Sequence, residues 1–97
     1  MLNFIVYTSD YSGTNINKDM ADIRKASVRN NSVNKITGVL FHHQGRFLQA
    51  IEGEKQALEK LMLKIQTDVR HENIEVLIDS EILERSYHNW SLGTFNL

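Results

Sequence analysis

Apolar and polar residues alternate along this chain with two different periods, and the changes of period mark the elements. Leu2 to Thr8 is rich in β-forming residues and gives way to the polar, turn-forming run Ser9-Asp10-Tyr11-Ser12-Gly13-Thr14-Asn15, which predicts a first strand ending near Tyr7. From about Lys18 to Asn30 the period lengthens. Met20, Ile23, Ser27 and Asn30 recur at i, i+3, i+7 and i+10, one face of a helix with Asn17 as its N-cap, and this stripe turns polar at its end. Ile36 to Phe41 and Arg46 to Glu52 predict strands joined through His42-His43-Gln44-Gly45, a glycine-containing hairpin. The clearest helix follows, from about Glu54 to Asp68, with Leu58, Leu61, Met62, Ile65 and Val69 as its apolar stripe. Asn73 to Ile82 predicts another strand, and the tail Tyr87 to Leu97 a further, C-terminal one.

Strand, helix, strand, strand, helix, strand is the order of an α+β, ferredoxin-like split β-α-β-β-α-β sheet, antiparallel, with both helices on one face. The chain has no proline, repeat or internal linker, and residues 1–97 are expected to form a single domain. In the first strand Ile5 and Tyr7 point one way while Leu2, Phe4 and Val6 point the other, so both faces of the sheet are apolar. Two helices cover only one of them, and Trp90, Leu92 and Phe95 are what the chain has left for the second. That face is expected to meet another copy of the chain, an effector protein, or a C-terminal cap or effector segment missing from these 97 residues.

Composition narrows the function classes. Eleven basic against twelve acidic residues give a net charge of −1 with no basic stripe, which argues against a nucleic-acid partner. The absence of cysteine removes disulfides, thiolate metal sites and cysteine nucleophiles. No apolar run reaches membrane-spanning length and no basic leader precedes the first strand, so a soluble, cytoplasmic protein without membrane contact is expected.

One residue breaks the pattern. Gln49 shares its pleat face with Phe47 and Ile51, where a hydrophobe is expected. A buried amide left unsatisfied costs about 1–3 kcal/mol, so a polar partner is required inside the fold. If the helices pack on the face of Tyr7 and Gln49, Asn30 and Asn31 at the end of the first helix converge on the same region. A phenol and three amides suit a flat heteroaromatic ring edged with C=O and N–H groups, and Ile23 and Ile65 are placed to sandwich it. Each residue alone has a plainer role: Tyr7 as a core aromatic, the asparagines as a helix C-terminus, Gln49 capped by backbone. Only the combination carries the ligand reading.

Other chemistry is sparse. His42 and His43 point oppositely, and His71 and His88 are isolated, so no metal site is expected. Arg70 and His71 close the second helix, where cations suit the macrodipole, and the charged runs Glu52 to Lys60 and Lys64 to Asp68 read as solvated helix faces. No nucleophile elbow, phosphate loop or triad is present, and the chain is not expected to be an enzyme in its own right.

The stretch Asn30-Asn31-x4-Ile36-Thr37-Gly38-Val39-Leu40-x6-Phe47-x-Gln49-x-Ile51-Glu52-Gly53 closely resembles the signature of BLUF domains, flavin-binding sensors of blue light. Tyr7-Thr8-Ser9, Asp68-x-Arg70-His71 and Asn89-Trp90-Ser91 resemble the family's flanking motifs, so the likeness spans essentially the whole chain. The resemblance implies a noncovalent flavin, FAD first, with FMN or riboflavin as alternatives. It implies that Tyr7 passes an electron and a proton to the photoexcited ring, and that Gln49 links the tyrosine to the flavin and changes its hydrogen bonding. Asn31 then matches the residue at the ring edge around O4 and N3, Asn30 its neighbour on the O2 side, and Ile23 and Ile65 the flanking walls. Arg70 and His71 match a motif near the ligand's polar side, and Trp90 and Leu92 the segment that relays the signal. The family commonly has methionine where this chain has Leu92, which removes a flexible thioether from the contact region. Ile51 replaces a leucine, a conservative exchange. The competing reading is a light-independent, small-molecule-binding regulatory domain of the same ferredoxin-like fold. An acylphosphatase-like enzyme ranks below it, because Tyr11-Ser12-Gly13 lacks the arginine that a phosphate loop needs.

Overall fold

The computed structural model describes residues 1–94. In chain order the elements are β1 (Leu2–Tyr11), α1 (Ile16–Val33), β2 (Thr37–His43), β3 (Arg46–Glu54), α2 (Lys55–Thr67), β4 (His71–Glu81) and β5 (Trp90–Thr94). The strands form one sheet in the order β4-β1-β3-β2-β5, the ferredoxin-like α+β arrangement with an added strand.

Four strands are antiparallel, as expected, whereas β5 runs parallel to β2 and makes the sheet mixed. The reason is geometric. The β4–β5 connector, residues 82–89, stays at the end of the sheet where β1 and β2 begin. Ile82 N–H bonds Leu2 O at 3.0 Å, and Gly38 N–H bonds Asn89 O at 3.0 Å. A strand that starts there can only run the way β2 runs.

Boundaries differ from expectation for identifiable reasons. β1 continues to Tyr11 because ladders on both sides carry its polar end: Ser9 opposes Phe47, Asp10 opposes Arg46 and Tyr11 opposes His71. α1 starts earlier because Asn15, not Asn17, is the cap, its Oδ1 accepting Lys18 N–H at 3.2 Å. The hairpin closes on Gln44 and Gly45, with φ of 49° and 80°, so His42 and His43 remain within β2. α2 ends at Thr67, which leaves Val69 86% exposed instead of completing the apolar stripe.

The core lies between the sheet and both helices, where Ile5, Leu40 and Ile51 meet Ile23, Leu58, Met62 and Ile65. Trp90 is buried in this core and Leu92 packs against it, so neither shields the second face; Phe95, also expected to do so, lies outside the described residues. Gly38, opposite both Trp90 and Ile51, has φ of 150°, and a Cβ there would sit 2.0 Å from Ala50 O. Only glycine permits this approach of β2 to β3.

The outer face carries no helix. Phe4, Val6, Val39, Phe41 and Ala50 are half-buried there, and Leu48 is exposed. β4 forms one edge of the sheet, exposed over most of its length, with Glu72, Glu75, Asp79 and Glu81 along it. Among the described residues no helix is long and apolar enough to cross a membrane.

Candidate functional site

The antiparallel register of β1 and β3 sets Tyr7 directly opposite Gln49, both pointing under the helices. They are 1% and 4% exposed, and the Tyr7 hydroxyl donates to Gln49 Oε1. Burial pushes the Tyr7 phenol far above its ordinary pKa and the nearby Asp68 carboxylate adds to the shift, so the hydroxyl keeps its proton. With its oxygen taken, Gln49 retains two N–H donors for another partner.

Both residues line a cavity of about 390 Å³ between the sheet and the two helices. Ile23 of α1 and Ile65 of α2 also line it, as do Asn30 and Asn31. Asn31 is buried while Asn30 is exposed, because successive helical residues point in different directions. Every cavity residue proposed from the sequence is therefore brought to one place: Tyr7, Ile23, Asn30, Asn31, Gln49, Ile65, Arg70 and His71.

Arg70 does not face the cavity as a free cation. Its Nε and Nη2 donate to the Asp68 carboxylate at 2.9 and 2.6 Å, and its backbone N–H bonds Asp68 Oδ1 at 2.9 Å. Hydrogen bonds from Arg70 hold the Asp68 carboxyl below its usual range. His71 lies over Phe47, ring centroids 4.7 Å apart, and its Nδ1 is 2.9 Å from Ser9 Oγ. Burial lowers its pKa and favours the neutral ring.

Trp90 and Leu92 share the inner face but do not line the cavity. In register, Leu92 opposes Leu40, and Leu40 opposes Gln49, so Leu40 stands between position 92 and the glutamine. Leu40 itself lines the cavity and was not expected to; the hairpin register relative to Gln49 was its signal. Ser9, named from the sequence only within the Tyr7-Thr8-Ser9 motif, lies on the same strand face as Tyr7 and contacts the cavity residue His71. Lys60 and Lys64, read as solvated, both lie at this cavity. Glu52, read the same way, belongs to β3 and is 1% exposed.

A slot with two branched aliphatic walls, the side-chain amides of Asn30, Asn31, Asn34 and Gln49 and a protonated phenol fits a planar ring whose edge alternates acceptors and donors. The isoalloxazine of a flavin is such a ring. The family model for sensors of blue light using FAD matches residues 2–93. The β subunit of a photoactivated adenylate cyclase from Euglena gracilis is 33% identical over 92 residues, which is 94% of this chain and 11% of that protein. The chain thus spans about a tenth of such relatives' length. Among solved structures, a bacterial light-regulated adenylyl cyclase superposes with a TM-score of 0.90 at 40% identity, over 99% of this chain and 28% of that one. The BLUF protein BlrB in its dark state gives a TM-score of 0.89 at 29% identity, over 96% of this chain and 72% of its own. Sequence signature, sheet order and the convergence of Tyr7, Gln49 and Asn31 on one cavity agree: the chain belongs to the BLUF family, the flavin-using photosensory domains that respond to blue light.

Proposed function

We propose that Tyr7 and Gln49 form the light-driven switch of this domain, acting on a flavin held noncovalently between Ile23 and Ile65. The observation that carries this is the hydrogen bond from the Tyr7 hydroxyl to the Gln49 carbonyl inside that cavity. When bound, the flavin supplies absorption of blue light and an excited state that accepts an electron and a proton. Tyr7 gives up both. Its phenol becomes strongly acidic on losing the electron, and the bond to Gln49 Oε1 sets the direction in which the proton leaves. Both return to Tyr7 when the charges recombine, and Gln49 is left with its hydrogen bonds rearranged. Asn31 and Asn30 would hold the ring's polar edge, and Ile23 and Ile65 would wall it and exclude water.

The flavin we favour is FAD, with FMN next. Lys60, Lys64 and Arg70 line the cavity against a single carboxylate, Asp68, which Arg70 neutralises. The ring is neutral, so the remaining positive charge suits a flavin bearing phosphate better than riboflavin. Output is proposed to pass through the uncovered apolar face, to a second copy of the chain or to an effector of the kind that the cyclase relatives' names describe. The setting that fits this reading is cytoplasmic.

The test is an absorption spectrum before and after blue light. A reversible red shift is expected in the native chain, and Tyr7→Phe should retain the flavin and lose the shift. Flavin binding with no response to light would favour the light-independent regulatory reading, and a normal photocycle in Tyr7→Phe would remove Tyr7 as donor.

A further inference from the structure

Among the described residues, the charged side chain that is buried lies on the other side of the switch strand. Glu52 belongs to β3, opposes Phe4 and Thr37, and points away from the helices. Its Oε2 accepts Ser86 N–H at 2.6 Å, and its Oε1 accepts Tyr87 N–H at 2.9 Å and the Thr37 hydroxyl at 3.0 Å. Arg85 Nη1 donates to Thr37 Oγ1 at 2.9 Å and to the Glu52 backbone carbonyl at 3.1 Å. A carboxylate out of water is tolerated because these donors replace its hydration.

Topology gives this cluster its meaning. β3 is the middle strand of five, and the connector from β4 to β5 must pass from one edge of the sheet to the other. It is fixed at its ends by Leu2 and Gly38. Between them its described hydrogen bonds all run to Glu52 or to Thr37 opposite. Directly after it come Trp90 and Leu92, which pack into the core. One strand thus presents Gln49 to the cavity and, about 10 Å further on, Glu52 to the connector.

We propose that Glu52 is the positioning residue for signal output: it ties β3 to the connector 82–89, so that a displacement of β3 at Gln49 is delivered to β5. The inference rests on the light-switch reading of Gln49. Glu52 touches neither ligand nor reacting atoms; it acts through the backbone of Ser86 and Tyr87. Hydrogen bonds weaken steeply with misalignment, so a small shift of β3 loosens the backbone of Ser86 and Tyr87, whose amides the Glu52 side chain holds.

Amide hydrogen exchange of the flavin-loaded chain, in darkness and under continuous blue light, tests this. Ser86 and Tyr87 are expected to exchange roughly fivefold faster or more in light, about the loss of one hydrogen bond. Glu52→Gln keeps one acceptor oxygen and places an N–H2 against the donor that faced the other. At least one of the two amides should exchange rapidly in both states while the light-induced red shift keeps its amplitude, and Glu52→Asp should restore part of the protection. Equal exchange in light and darkness in the native chain, with a normal red shift, would overturn the proposal even if the variants did not fold. So would native-like, light-dependent protection in Glu52→Gln. A native chain with flavin but no red shift would instead remove the switch reading, and this proposal with it.

Discussion

Gln49 and Glu52 are buried polar residues of the same strand, three positions apart, on opposite faces of one sheet. Gln49 spends its oxygen on Tyr7 and faces a cavity with donors to spare. Glu52 has the full charge, yet two backbone amides and a hydroxyl already point at it. A group with unfilled capacity can exchange partners at little cost, whereas a saturated one can only be strained or released. The pair separates where a bond is meant to change from where a change is meant to be felt.

The largest expected effect is functional. Gln49→Leu should abolish the light-induced red shift while flavin still binds through Asn31, Ile23 and Ile65, and should cost only about 1 kcal/mol of stability, since Tyr7 loses one partner. A surviving shift would break the assignment of Gln49. Glu52→Ala sits at the other pole. It leaves three donors without their acceptor and should cost about 3 kcal/mol in urea unfolding. If Gln49→Leu proved the more destabilising of the two, the contrast between spare and saturated capacity would fail.

A third expectation concerns pH. Burial lowers the His71 pKa below the ordinary histidine value of 6.5, so the unfolded chain binds the proton first as pH falls. Stability should therefore be fully present above about 6.5 and decline as pH drops below it, and His71→Gln should flatten the decline in melting temperature between pH 7 and 5. His42 shifts in the same direction and contributes in the same sense, so the flattening is partial. A decline of unchanged slope in the variant would show that His71 is not its source. The smallest effect is expected from Leu92→Met. With Leu40 between it and Gln49, dark recovery should change by no more than a few fold. A change of a hundredfold would mean that position 92 reaches the glutamine directly.

Much of the site was readable because Gln49 and Tyr7 violate or end a period-two pattern, and because helical spacing puts Ile23 and Ile65 on inward stripes. What was hidden has physical causes. Glu52 reads as the first charge of a solvated helix, since nothing local announces donors arriving from Ser86 and Tyr87, more than thirty residues later. The side taken by Trp90 was illegible because both faces of the sheet are apolar, so alternation gives no sign. Asn15 and Asn17 are equivalent candidates by composition, and only backbone geometry picks the cap. The parallel course of β5 depends on where the connector crosses the sheet, a long-range matter that no window of sequence contains.

The acidic edge has a consequence for assembly. A strand with one side unpaired offers a row of amides and carbonyls to any other chain, and such rows invite fibres and mispairing. Glu72, Glu75, Asp79 and Glu81 place like charges along β4, so an identical edge approaching it meets repulsion at every few residues. Copies of this domain at high concentration are thereby discouraged from zipping side to side, and salt, which screens that repulsion, should bring them closer to it.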